Sequence, residues 1–155
     1  MTSEEILRVE FDSLREDILA RHTALKQKAS GQFERELENK TSGLTGLLVG
    51  SHYTEQLVNG RGPGKFPPIK MIESWIRIKP IRIIGERISV SSLAFLIARK
   101  IAREGTEIFK AGGTDLISSV ITPERVQSII DKVTRLNINS FTSEVSNIFR
   151  EFEAA

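Results

Sequence analysis

The apolar positions of the first forty residues fall at Leu7, Phe11, Leu14, Ile18, Leu25, Ala29, Phe33 and Leu37, with His22 occupying one expected slot. This near four-three alternation places them on one stripe of a helix. It predicts a rod running to about residue 40, roughly 50 Å long at about 1.5 Å per residue. Thr2 and Glu5 have the spacing of a capping box, and Glu4 lies where it meets the positive end of the helix dipole. Gly31 weakens the rod by about 1 kcal/mol relative to alanine, so a break or kink is expected there. A rod of that length outreaches a small core: its stripe either packs along its own domain or meets another subunit.

Beyond the rod the pattern changes. In "TSGLTGLLVGSHYTEQLVNG", from Thr41 to Gly60, glycines punctuate the run Leu47-Leu48-Val49, which suits a strand. A small antiparallel sheet or hairpin is expected near residues 44–58 and 81–90, the second part from the β-branched "IRIIGERISV". Between them "PPIKMIESWIRIK" reads as a helix with Pro68 in its first turn and Ile69, Ile72, Trp75 and Ile76 on its apolar face, Trp75 being expected in the core. "SLAFLIARKIAREG" predicts a helix from Ser91 or Ser92 to Gly105, with Leu93, Leu96, Ile97 and Ile101 inward and Arg99, Lys100 and Arg103 outward. The tail predicts two more helices. One starts at Thr122-Pro123 with Val126, Ile129, Ile130 and Val133 as its stripe; a last one, from about Asn139 or Ser140, carries Phe141, Val145, Ile148, Phe149 and Phe152. The fold class is α+β, predominantly α-helical. The chain divides into a long N-terminal helix (1–42), a core with a glycine-proline loop and two helices (43–110), and a helical C-terminal extension (111–155).

Composition narrows the classes. At 155 residues, with 39% apolar and 27% charged residues, the chain is one domain, or one small domain with helical extensions, and can bury a core without metals or bridges. It has no cysteine, which excludes disulfides and thiolate zinc sites and fits a reducing compartment. No apolar run reaches membrane-spanning length, and the acidic start "MTSEEILRVEFDSL" is unlike a secretory signal. The net charge of +2 is unevenly spread. Residues 1–40 carry 7 Lys/Arg against 9 Asp/Glu, residues 61–110 carry 11 against 4, and residues 111–155 carry 4 against 6. The basic middle suits phosphate backbones or acidic protein surfaces alike.

Candidate chemistry centres on the ten positions from Asn59 to Pro68, which hold three glycines, three prolines and two cations. A Walker loop would need glycine at Asn59 and a hydroxyl at Phe66, so a phosphate cradle is not expected. Gly60, Gly62 and Gly64 likewise miss the dinucleotide spacing. The two histidines, His22 and His52, have no partner at metal-ligand spacing, and His22 reads as a packed or half-exposed filler. Glu34, Glu36 and Glu38 read as a solvated face, and no serine sits in a nucleophile elbow. Neither a catalytic constellation nor a cofactor site is expected. A nucleic-acid reading rests on Lys65, Lys70, Arg77, Lys79, Arg82 and Arg87 around Trp75, which can stack on a base.

The stretch "GLLVGSHYTEQLVNGRGPGKFPPIKMIESWI", with "LAFLIARKIAREGT" behind it, resembles the head–tail joining or tail-completion (neck) proteins of tailed bacteriophages. The matching positions are Tyr53, Gly60-Arg61-Gly62-Pro63-Gly64, Pro67-Pro68, Trp75 and Gly105-Thr106, within roughly residues 43–110. The chain departs from the family pattern at three places: Asn59 replaces an acidic residue, Lys79-Pro80-Ile81 replaces Lys-Gly-Ile, and after Thr106 a longer helical tail, residues 111–155, replaces the familiar ending. The resemblance implies a non-enzymatic structural virion protein, a ring-forming adaptor or tail-completion protein joining portal-side and tail-side rings around the DNA channel. It would assemble in the bacterial host cytoplasm with no membrane involved. Its implied partners are identical subunits in a cyclic ring, the portal or adaptor ring, tail proteins and DNA in the channel. Subunit contact then falls to Tyr53, Gly60, Arg61, Gly62, Pro63, Gly64, Lys65, Pro67 and Pro68. Channel or acidic-partner contact falls to Lys70, Arg77, Lys79, Arg82 and Arg87. The alternative is a small nucleic-acid-binding regulatory protein using the basic segment 61–110.

Overall fold

The computed structural model describes residues 1–79 and 88–154. Its first element is the expected N-terminal helix, α1 (Ser3–Ala24), opened by the capping box: Thr2 accepts from the Glu5 amide while the Glu5 carboxylate accepts from the Thr2 amide. The helix is shorter than its periodicity predicts. Leu25 caps it, Lys26 turns left-handed (φ 57°), and the chain re-enters a short helix, α2 (Gln32–Glu36), through Gly31 at φ 77°. The apolar stripe therefore folds back on itself instead of continuing as a rod. Phe33 and Leu37 are buried in one cluster with Leu7, Leu14 and Ile18, so both halves of the stripe leave water. Arg15 secures the reversal by donating to the carbonyls of Leu37 (2.6 Å) and Glu34 (3.2 Å), two groups that the end of α2 leaves open.

A two-residue strand, β1 (Glu38–Asn39), pairs antiparallel with β2 (Leu48–Val49), Glu38 opposite Val49 and Asn39 opposite Leu48. The expected strand at Leu47–Val49 is thus present, but its partner precedes it. Residues 54–59 form a helix, α3 (Thr54–Asn59), where half of the hairpin was expected, and Val90 already belongs to a helix. The remaining strand expectation, over 81–87, lies outside the described residues. Asn39 ties the hairpin to α1 by donating to the Arg8 carbonyl (3.0 Å) and the Asp12 carboxylate (2.8 Å).

Two helices then pack against each other: α4 (Ile69–Ile78), with Pro68 at its N-cap, and α5 (Val90–Glu104), capped by the Ser89 hydroxyl and ended by Gly105. Ile76 is buried from α4, and Ala94 and Ala98 are wholly enclosed on α5. These small side chains set the approach. The buried face of α5 is therefore rotated from the expected one, leaving Leu96 exposed. A single turn, α6 (Glu107–Lys110), follows.

The tail holds a single helix where two were expected. It is α7 (Pro123–Glu153), 31 residues long, with Thr122 accepting from the Arg125 amide and Pro123 in the first turn. Asn137 to Ser140 do not interrupt it, because none of them competes strongly enough with a helix already nucleated on both sides. Helix α7 lies antiparallel along α1. Arg125 bonds Asp17 and Ser13, Lys132 bonds Glu10, and Asn137 accepts from Ser3. Ile129 enters the main core with Leu116 and Val120. Among the described residues, no helix is long and apolar enough to cross a membrane.

Candidate interaction site at the glycine-proline corner

Residues 60–68 leave α3 and are sewn to the far end of α5. Gly60 ends α3 at φ 75°. The Arg61 amide donates to Thr106 Oγ1, the Thr106 amide donates back to the Arg61 carbonyl (both 2.9 Å), and the Gly64 amide donates to the Ala102 carbonyl at 2.9 Å. A Cβ on Gly60 would stand 2.3 Å from the Phe109 amide nitrogen, and one on Gly105 would stand 2.9 Å from the Arg61 carbonyl oxygen. The close backbone approach that these glycines permit is thus with the chain's own α5–α6 junction. The amides of Gly60, Arg61 and Gly64 are all engaged within the protein.

The other sequence-selected residues divide by position. Tyr53 packs half-buried against the main core and meets His52 edge-on at 5.7 Å between ring centres. Pro67 is buried, while Pro63, Gly64, Lys65 and Pro68 are exposed. Gly62 lies under the Phe109 ring, its Cβ position 3.3 Å from that ring. Phe66 projects beside Phe95 of α5, ring centres 5.7 Å apart. On α4, Lys70 and Arg77 are exposed. Lys79 lies across the surface: its ammonium donates to the Lys26 carbonyl (3.1 Å) and sits 5.6 Å from the centre of the Trp75 ring. Trp75 itself is 39% exposed, against the expectation of a core position. Ile76 takes the buried slot, and one residue of register turns the indole about 100° around the helix. Arg82 and Arg87 lie outside the described residues.

Below Trp75 is a cleft of about 530 Å³ whose lining includes His22, Gln27, Glu34, Tyr53, Met71 and Trp75. Sequence periodicity missed this grouping, because it becomes possible only when α2 folds back on α1. His22 is 2% exposed and stacked on Phe33 at 4.5 Å. Its Nδ1 stands 3.5 Å from Glu34 Oε1, which is long for a hydrogen bond. Glu34 is therefore part of this wall and not of the solvated face read from the sequence. Burial pushes the His22 imidazole below its ordinary pKa, with the Glu34 carboxylate opposing that shift. His22 Nδ1, Gln27 Oε1 and both Glu34 oxygens are buried without a hydrogen-bond partner among the described residues. The Gln27 and Glu34 oxygens are acceptors, and Lys70 also lines the cleft, so its wall is polar and suited to water. Among the described residues, no group of three or more His, Asp or Glu is placed to hold a metal.

No protein-family model, no curated protein and no solved structure matches this chain.

Proposed function

We propose that the chain is a structural protein of the tailed-phage head–tail neck, a ring-forming adaptor or tail-completion protein that acts by binding its neighbours around the DNA channel. What supports this reading is that the two ends of the resembling stretch, the glycine corner and Gly105-Thr106, meet in one joint, where Arg61 and Thr106 exchange hydrogen bonds. A corner whose two ends hold each other in place suits docking, because a preformed loop loses less entropy when it binds. The joint leaves Pro63, Gly64, Lys65 and Phe66 on the surface as the part a neighbour can grip.

Quantitative mass spectrometry of purified particles tests the reading. A low, symmetric copy number close to that of the portal supports a place in the neck; absence from mature particles overturns it. Lys65→Glu is a better probe of the grip than valine at Gly62 or Gly64. Lys65 is exposed, whereas Gly62 lies under Phe109 and Gly64 sits at φ 127°. The expected result is normal folding with a loss of assembled particles.

A second reading, nucleic-acid binding by the basic segment, is favoured by one observation: Trp75 is partly exposed on the same helix as Lys70 and Arg77. It requires affinity that falls steeply with salt, as displaced counterions dictate. A flat response to duplex and single strands counts against it.

A further inference from the structure

Helix α7 outruns the body it packs on. Asn137 is level with Ser3, the first residue of α1, so residues 138–153 extend about 24 Å past the start of that helix at about 1.5 Å per residue. This projecting part is not polar. Ile138, Phe141, Val145, Ile148 and Phe152 follow one another at intervals of three, four, three and four, and Phe141 and Phe152 are 68% and 76% exposed.

The stripe is not a continuation of the seam that α7 makes with the main core. At about 100° per residue, Ile129 and Val133 define a core-facing side, and the distal stripe is centred roughly a third of a turn away from it. Beyond Asn137 the helix thus presents a second apolar face in a different direction. Its spacing is the a/d repeat of a coiled coil, with Ile138, Val145 and Phe152 at a and Phe141 and Ile148 at d.

We propose that residues 138–152 of α7 pair in parallel with the same stripe of a second copy of this chain. Parallel pairing follows from the flanking charges. Glu144 and Glu151 occupy the g positions, and Thr142 and Phe149 the e positions. In a parallel pair Glu144 lies across from Phe149 of the other copy, so its stem covers the exposed ring. An antiparallel pair would set glutamate against glutamate, and like charges at these positions disfavour that orientation. The area also suffices. With aromatic side chains of about 150–250 Å² each, the stripe and Phe149 offer about 600 Å² per copy, about 1,200 Å² in total, at the lower bound for a specific interface. A parallel pair has its symmetry axis along the helices, as in a cyclic assembly. The pairing stands on α7 alone and does not depend on the neck reading.

The absence of cysteine from the chain makes the test clean. The full-length protein carrying Ile138→Cys, at the start of the stripe, is oxidised mildly beside Ser143→Cys on the opposite face. Light scattering on the unmodified protein gives its mass. The expected result is a particle of at least twice the 17.4 kDa monomer, disulfide-linked dimers from I138C, and little linkage from S143C. Ile148→Glu is expected to return the mass to that of the monomer with its helical circular dichroism retained. A monomer at every concentration overturns the pairing, including the case where some other chain covers the stripe. So does association that persists in I148E, or linkage equal at both sites. None of these outcomes alters the particle composition by which the neck reading is judged.

Discussion

Arg61 and Thr106, 45 positions apart, hold each other by two hydrogen bonds of 2.9 Å that run in opposite directions. The Thr106 hydroxyl also caps α6 by accepting from the Phe109 amide at 3.3 Å. One side chain thus closes the corner and starts the next helical turn. Thr106→Val keeps the shape, removes the acceptor and leaves two amides unsatisfied. A loss of about 1–3 kcal/mol is expected in urea unfolding, with most of it restored by Thr106→Ser. A Thr106→Val variant as stable as wild type, beside a destabilised Thr106→Ser, would show that the methyl group matters and the hydroxyl does not.

The corner's glycines differ in what they tolerate. Gly60→Ala places a methyl group 2.3 Å from the Phe109 amide nitrogen at a left-handed φ, and a Cβ on Gly64 meets nothing within 4 Å. The expected order of denaturation midpoints is wild type, then Gly64→Ala, then Gly60→Ala. The Gly64 variant bears only its backbone strain, of order 1–3 kcal/mol. The reverse order would contradict the corner geometry.

His22 gives stability a pH dependence. Its folded pKa lies below the unfolded value near 6.5, because burial disfavours the imidazolium. The unfolded state therefore binds the proton more readily. The stability that the neutral imidazole confers is complete above pH 6.5 and declines as pH falls below it. Chemical denaturation at pH 7.5 and pH 5.5 should show a lower midpoint at the acidic value. His22→Phe should flatten the difference in this interval, well above the range in which Glu36, held below the ordinary carboxylate value by Gln32, takes up its proton. An unchanged slope in His22→Phe would remove His22 as the cause.

Along α7 the same residue type has two different roles. Ile129 is 6% exposed in the main core, whereas Ile148 is 52% exposed on the projecting part. Ile129→Ala should cost about 2–5 kcal/mol. Ile148→Ala, measured at high dilution, should stay within about 0.5 kcal/mol of wild type. A large loss at Ile148 under those conditions would mean that the distal helix packs on its own body.

Trp75 is the single tryptophan and reports directly on its surroundings. Its partial exposure predicts acrylamide quenching between that of a free indole and a core residue. Lys79→Ala, which removes the ammonium beside the ring, should increase quenching and leave the fold intact. A fully protected Trp75 would refute its placement on the surface of α4.

Much of the architecture was legible because local signals agreed with the packing. Thr2 with Glu5, Pro68, Gly105, and Thr122 with Pro123 mark helix boundaries within a residue of where they occur, since capping depends on neighbouring side chains and backbone alone. The Leu48–Val49 strand was equally readable from its β-branched and apolar run between glycines. Its partner was not, because Glu38 and Asn39 carry no strand pattern and pair only after α2 has turned the chain back.

What the sequence by itself determined is the helical character, the capped boundaries and the corner between Asn59 and Pro68. What only the tertiary structure decided is where each stripe faces. A four-three repeat reads the same whether it continues as a rod or folds back at Lys26, and the fold-back prevails because it buries Phe33 and Leu37 against Leu14 and Ile18. It also brings Glu34 to His22. At the other end of the chain the same kind of repeat, from Ile138 to Phe152, finds no surface among the described residues to cover, because α1 has already ended. Periodicity encodes a face; only the length and position of the neighbouring helix determine whether that face is covered by its own chain.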